Sequence, residues 1–258
     1  MAGESVHFLY DSDALIQILL TDQYTVFQIL IDDFGVASYV MSEVDAEVRS
    51  NAKFGGIVKP KLDKAMKSRA LRTLNSSTLE EISEGSSSPV SLSDIRNLGA
   101  EYALDGVGIG ESVTHAAGVL LGWPTVSNDM NAVKVLEQKG RALPVTILRS
   151  FDLFAFCHVE GYIDDRTGEG IRSELRKYGE WVPKPMINSS FVNGLTSFDR
   201  RLDTSLSVSA SARHWSEKLY LARILPTSQN TGSPSSSSDE GRAVLGDVWP
   251  ADQKPDEG

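Results

Sequence analysis

At 258 residues and a net charge of −10, the chain is long enough for a substantial hydrophobic core and too acidic to coat nucleic acid non-specifically. Its one cysteine, Cys157, excludes an intrachain disulfide and a cysteine zinc cluster. No apolar run approaches the roughly 18 residues of a membrane span, and Met1-Ala-Gly-Glu-Ser5 lacks the basic, apolar character of a signal peptide, so a cytoplasmic protein with no membrane partner is expected.

Val6-His-Phe-Leu-Tyr10 reads as a strand that ends in Asp11-Ser-Asp13, with a helix from Asp13 to Leu20 whose Ala14, Leu15, Ile18 and Leu19 share a face. Asp22 is expected to cap a second helix through Val26, Phe27, Leu30 and Ile31, which Gly35 stops. Val36 to Val40 reads as a second strand whose exit becomes a helix carrying Glu43, with Ser42 or Ser38 as cap; Gly55-Gly56 breaks that helix. Pro60 to Leu74 has the polar composition of an exposed helix, an expected substrate clamp. Its segment carries Lys59, Lys61, Lys64, Lys67, Arg69 and Arg72 against Asp63, a basic stripe fit either to track a phosphate backbone or to form a solvated helix face.

A serine-rich stretch over 75–91 then leads to a helix through Ile95, Leu98 and Ala103, capped by Ser91 or Ser93. Gly108-Ile-Gly-Glu111 opens a nearly all-apolar helix ended by Gly122, with Glu111 in the first turn, where the helix dipole favours an anion. Pro124-Thr-Val-Ser127 reads as a buried strand delivering Asn128 and Asp129 to its C-terminal edge, where open α/β sheets keep their ligands. A helix over Asn131–Lys139, a strand over Leu143–Leu148, a helix from Ser150 to Phe156 and a last amphipathic helix led by Asp164 or Thr167 complete the alternation. Alternating strands and helices imply an α/β fold with a mainly parallel sheet. From Pro226 onward the serine- and acid-rich composition is that of a disordered tail.

Acid after strand recurs: apolar strand–Asp11, V-x-x-E-V around Glu43, Gly-Glu111 opening a buried helix, and Ser127-Asn128-Asp129. In that order these motifs resemble the PIN-domain family of metal-dependent ribonucleases, over roughly residues 6 to 160. The resemblance implies a three-layer α/β/α sandwich over residues 1–160 with a helical insertion at about 55–100, a helical extension over 161–225 and a tail over 226–258. It further implies that Asp11, Glu43, Glu111 and Asp129 gather around Mg2+ or Mn2+ to hydrolyse RNA, with Asp11 and Asp129 innermost and Asp13, His115, Ser127 and Asn128 around them. A toxin–antitoxin role, an antitoxin protein and a homodimer follow as expectations from the same family, although the long segment between Glu43 and Gly108 departs from its shortest members.

Other readings stand beside it. Asp11, Asp13 and Asp129 are each placed to cap a helix, and His115 to be a core histidine. Asp11-Ser-Asp13 also resembles the nucleophile and acid pair of haloacid-dehalogenase-like phosphatases, without that family's downstream motifs. A catalytically silent PIN-like binding module is the third reading.

Overall fold

Short apolar runs become the strands of one sheet, because alternating and continuous apolar residues both find cover when helices lie on each face. The computed structural model describes residues 6–83, 89–144 and 146–194. Its strands are β1 (Val6–Tyr10), β2 (Val36–Met41), β3 (Leu71–Leu74), β4 (Thr125–Val126) and β5 (Ile147–Leu148), all parallel, in the order β3-β2-β1-β4-β5. Between and after them run α1 (Ser12–Leu20), α2 (Thr25–Phe34), α3 (Ser42–Ser50), α4 (Gly55–Lys67), α5 (Ser76–Ser83), α6 (Leu92–Leu104), α7 (Ile109–Leu121), α8 (Met130–Gln138), α9 (Ser150–Val159), α10 (Asp165–Lys177) and α11 (Lys184–Ile187).

From β1 the chain adds β2 and β3 on one side and then crosses back to add β4 and β5 on the other. Right-handed crossovers in opposite directions put the helices that connect β1 to β3 and those that connect β3 to β5 on opposite faces, consistent with a three-layer α/β/α arrangement, and α9 then packs on α1 and α2. The central strand is accordingly buried throughout its apolar part, with Phe8, Leu9 and Tyr10 fully enclosed. On one face α7 packs over β1, β2 and β4 and is backed by α6. A Cβ on Gly99 of α6 would lie 2.9 Å from Val113 Cγ1 of α7, so the two helices meet without an intervening side chain. The expected helical extension is present as far as α10 and α11, and α10 packs on α1 and α9. The expected elements beyond residue 194, the tail included, lie outside the described residues.

Several expected boundaries move for identifiable reasons. The helix expected over Pro60–Leu74 stops at Lys67; Arg69 takes a left-handed conformation at φ 61°, and Leu71–Leu74 then joins β2 as an edge strand with Leu71 and Leu74 buried. Helical composition there yields to a chain reversal and a free sheet edge. Asp22 does not cap α2: it sits at φ 59° in the turn and pairs with Lys61 at 2.7 Å. Neither Ser42 nor Ser38 caps α3, whose preceding residue is Met41. Gly55 opens α4 and does not break α3, which ends earlier, at Ser50; a Cβ on Gly55 would lie 2.8 Å from the Arg49 carbonyl oxygen. The expected caps Ser91 and Asp164 hold, each accepting from a backbone N–H of the first turn.

Candidate functional site

The strand order switches between β1–β2 and β4–β5, and the C-terminal ends of β1 and β4 are where open parallel sheets generally leave a crevice for a ligand. Asp11 and Asp129 arrive there on neighbouring strands, with Asp11 N donating to Val126 O at 3.0 Å. Both carboxylates also cap helices. Asp11 Oδ1 accepts from Ala14 N at 2.8 Å, and Asp129 Oδ1 accepts from Asn131 N at 2.7 Å and Ala132 N at 3.2 Å. Capping and site roles are therefore compatible, because each cap uses Oδ1 alone. Asp11 Oδ2 is buried with no hydrogen bond of good geometry, although the Ser127 hydroxyl stands close enough to favour its charged form.

Glu111 enters from the other side, in the first turn of α7. Its acidity reports the crowding. Burial, then the charges of Asp11, Asp129 and Asp13 and a hydrogen bond shared with Asp129, push its carboxyl up to about 9. Burial pushes Asp11 up to about 8, against the help of Ser127 and Ala14 N–H and with the added repulsion of Asp13 and Asp129. Asp13 is solvent-exposed on one side and packed on the other; desolvation first, then Asp129, Glu180 and Glu47, raise it as well. Asp11, Asp13, Glu111 and Asp129 thus share one electrostatic neighbourhood.

Glu43 stands apart from it. Its Oε1 accepts from Arg96 Nε at 2.7 Å and its Oε2 from Ser42 Oγ at 2.8 Å, while Arg96 Nη2 also reaches Ser42 Oγ at 3.2 Å. Burial works against its charge, but Ser42 and Arg96 together hold the carboxyl below its ordinary range. The glutamate of α3 that lies against α1 and α7 is Glu47, an exposed residue one helical turn later. Ser12 Oγ donates to Glu47 Oε1 at 3.0 Å, and Glu47 Oε2 occupies the space where a Cβ on Gly110 would stand. The spacing V-x-x-E-V occurs at Val40–Val44 and again at Val44–Val48, so the motif alone does not choose between the two glutamates. The close approach of Glu47 Oε2 to Gly110 is what separates them in the structure.

The surrounding residues separate in the same way. Ser127 and His115 are fully buried beneath the carboxylates, and burial depresses the His115 imidazole to about 4 against the pull of Asp129. Asn128 faces away: its Nδ2 donates to Ser150 Oγ at 3.2 Å and its Oδ1 accepts from Ser150 N at 3.2 Å, tying the exit of β4 to the start of α9. Glu180, whose charge reaches Asp13, comes from the segment after α10 and has no sequence signal. That segment is anchored by Gln17 Nε2 donating to Trp181 O at 3.2 Å, by the Arg149 guanidinium 4.6 Å from the Trp181 ring, and by a Lys53–Glu180 pair at 3.4 Å.

The basic stripe is not one free surface. Lys61 pairs with Asp22, Lys64 donates to the Tyr24 hydroxyl, and Arg72 pairs with Glu81 at 2.7 Å, which leaves Lys59, Lys67 and Arg69 exposed and without a close ion pair among the described residues.

Chemically, the crevice offers hard oxygen donors, one of them a buried carboxylate oxygen without a hydrogen bond, in a field that already resists ionisation. Such a donor set fits a hard divalent cation. Among the described residues, no three acidic, histidine or cysteine side chains are already gathered closely enough to hold one. Repulsion between the carboxylates is a sufficient reason for that spacing. Family models, curated proteins and solved structures return no match to the chain.

Proposed function

We propose that the chain is a divalent-metal-dependent endoribonuclease of the PIN type, acting on RNA phosphodiester bonds at the crevice between β1 and β4. The observation that carries this proposal is the convergence of Asp11, Asp13, Glu111 and Asp129 at the topological switch, with the Asp11 and Glu111 carboxyls held up at about 8 and 9 by burial and mutual charge. A cation would relieve the repulsion that these carboxylates share.

Asp11, Asp129, Glu111 and Glu47 are the residues that would hold Mg2+ or Mn2+, with Glu43 outside the set. The bound cation would make a nucleophile available from water near neutral pH and offset charge on the phosphate and the leaving oxygen. Asp11 and Asp129 each keep Oδ1 in a helix cap, which holds both carboxylates at the C-terminal ends of their strands. Glu47, tethered by Ser12, is placed to orient water on the α3 side. Exposed Lys59, Lys67 and Arg69 offer phosphate contacts at a distance from the acids.

The test is cleavage of single-stranded RNA by the purified full chain with Mn2+ or Mg2+. Asp11→Asn and Asp129→Asn are expected to abolish it while circular dichroism stays unchanged, and chelator is expected to stop the wild type. Equal cutting in chelator, or a double variant that still cuts, ends the proposal. Turnover of a phosphate monoester in place of RNA would favour the Asp11/Asp13 phosphatase instead.

A further inference from the structure

Among the described residues, four buried polar atoms at the acid cluster lack a hydrogen bond of good geometry: Asp11 Oδ2 and Ser127 Oγ, which stand close to one another, and both ring nitrogens of His115. All three residues are 0 % exposed. Leaving a buried donor or acceptor unpaired costs about 1–3 kcal/mol, so proteins rarely leave several together.

Their positions follow from the register. Leu9 of β1 lies opposite Thr125 of β4, and two residues on, Asp11 and Ser127 project from the same face of the sheet. That face is the one covered by α7, since a Cβ on Gly118 would come within 2.5 Å of Thr125 Cγ2. Helix α7 leads into β4 through the short turn at Gly122-Trp123-Pro124 and so runs against it. Moving one turn back from Gly118 brings His115 up to the level of Ser127, under Asp129, whose charge it feels. Burial keeps the ring neutral, with one N–H donor and one acceptor nitrogen. A carboxyl oxygen that accepts when ionised and donates when protonated, a hydroxyl that does either and an imidazole that does both make a complementary set, of the kind an internal water typically joins through about three hydrogen bonds.

We propose that the space beneath the acid cluster is a binding site for one internal water, which accepts from His115 N–H and hydrogen-bonds Asp11 Oδ2 and Ser127 Oγ. Through that water His115 becomes a positioning residue for Asp11. Asp11 Oδ1 is already fixed by Ala14 N–H, so the water fixes the second oxygen and with it the plane of the carboxylate. The existence of the water site is independent of the nuclease proposal, whereas its consequence for the cation rests on it.

Two measurements on the full chain test the two parts. In metal-free protein carrying 15N-labelled histidine, His115 is expected to show one neutral tautomer, with an N–H that exchanges slowly and gives a nuclear Overhauser contact to a long-lived water. Ser127→Ala should shift that N–H resonance. A ring that interconverts between tautomers, or an N–H blind to water and to Ser127→Ala, overturns the site. In the second measurement, Mn2+ affinity is read by electron paramagnetic resonance. His115→Leu should weaken it by about 10–100-fold, and His115→Gln, which keeps a donor and an acceptor, should restore most of the loss. His115→Leu binding Mn2+ as tightly as wild type overturns the positioning role. A wild type that binds no Mn2+ ends the nuclease proposal and the positioning role together, and the resonance measurement still decides the water.

Discussion

At the scale of single residues, the two oxygens of one carboxylate separate jobs that look like competitors in sequence. Asp11 and Asp129 are both helix caps and members of the acid cluster, since capping takes only Oδ1. The glutamates of α3 divide in the opposite sense: two residues with the same local motif take different partners. Glu43 is spent on Arg96 and Ser42, and Glu47 faces Ser12 and Gly110. Glu47→Gln is therefore expected to lower the rate of divalent-dependent cleavage at least tenfold, the loss typical of removing a group that holds or orients a reacting species. Glu43→Gln should change the rate less than about threefold and cost at most about 1 kcal/mol, the value of a partly exposed ion pair. Rates and melting curves measured side by side check both; the reverse ranking would return Glu43 to the site.

At the scale of elements, two glycines on the helix pair α6–α7 make contrasting predictions. Alanine normally stabilises a helix interior over glycine by about 1 kcal/mol. At Gly110 the added methyl would crowd the far end of Glu47 and make an ordinary contact with Val44 Cγ2 at 3.5 Å, so Gly110→Ala should leave the melting temperature within a few degrees of wild type while lowering cleavage by displacing that carboxylate. At Gly99 the methyl meets Val113 Cα at 3.1 Å and Val113 N at 3.3 Å, backbone atoms that move only if the helices part. Gly99→Ala should thus destabilise by about 1–3 kcal/mol, seen as a lowered denaturant midpoint. Strand β3 shows the limit of reading elements locally. Ala70-Leu-Arg-Thr-Leu74 continues a helical composition without a break in hydropathy, and the interruption comes from the backbone of Arg69.

At the scale of the whole molecule, the acid cluster is a source of instability in the metal-free chain. In the unfolded chain carboxyls titrate near 4, whereas in the fold Asp11 and Glu111 hold their protons up to about 8 and 9. The native state therefore binds more protons than the unfolded state across that interval, and stability falls as pH rises. The buried histidines His7 and His115, depressed to about 4, act in the opposite direction only below their ordinary value of about 6.5. From pH 7 to 9 the carboxylates dominate among these groups. The melting temperature of the metal-free protein should drop across that range, Asp11→Asn should flatten the drop, and saturating Mn2+ should raise the midpoint most at pH 9. A profile that is flat in chelator and unchanged by Asp11→Asn would refute this account.

What the sequence determined by itself was everything set by neighbours along the chain. Strand–acid–helix junctions, the glycines at 35, 122 and 140 that end helices at positive φ, the caps at Asp11, Ser91, Asp129 and Asp164, and the parallel α/β class all follow from periodicity and capping chemistry acting over a few residues. Tertiary structure decided which side chains share a space. It placed Arg96 of α6 against Glu43 and Gly110 of α7 against Glu47, and so separated two glutamates with the same local motif. It turned Asn128 toward Ser150 and left His115 buried under Asp129. It also brought Glu180 from the segment after α10 to the neighbourhood of Asp13. Those outcomes depend on the order in which strands are laid into the sheet and on how closely α6, α7 and α3 approach, quantities that no window of sequence contains.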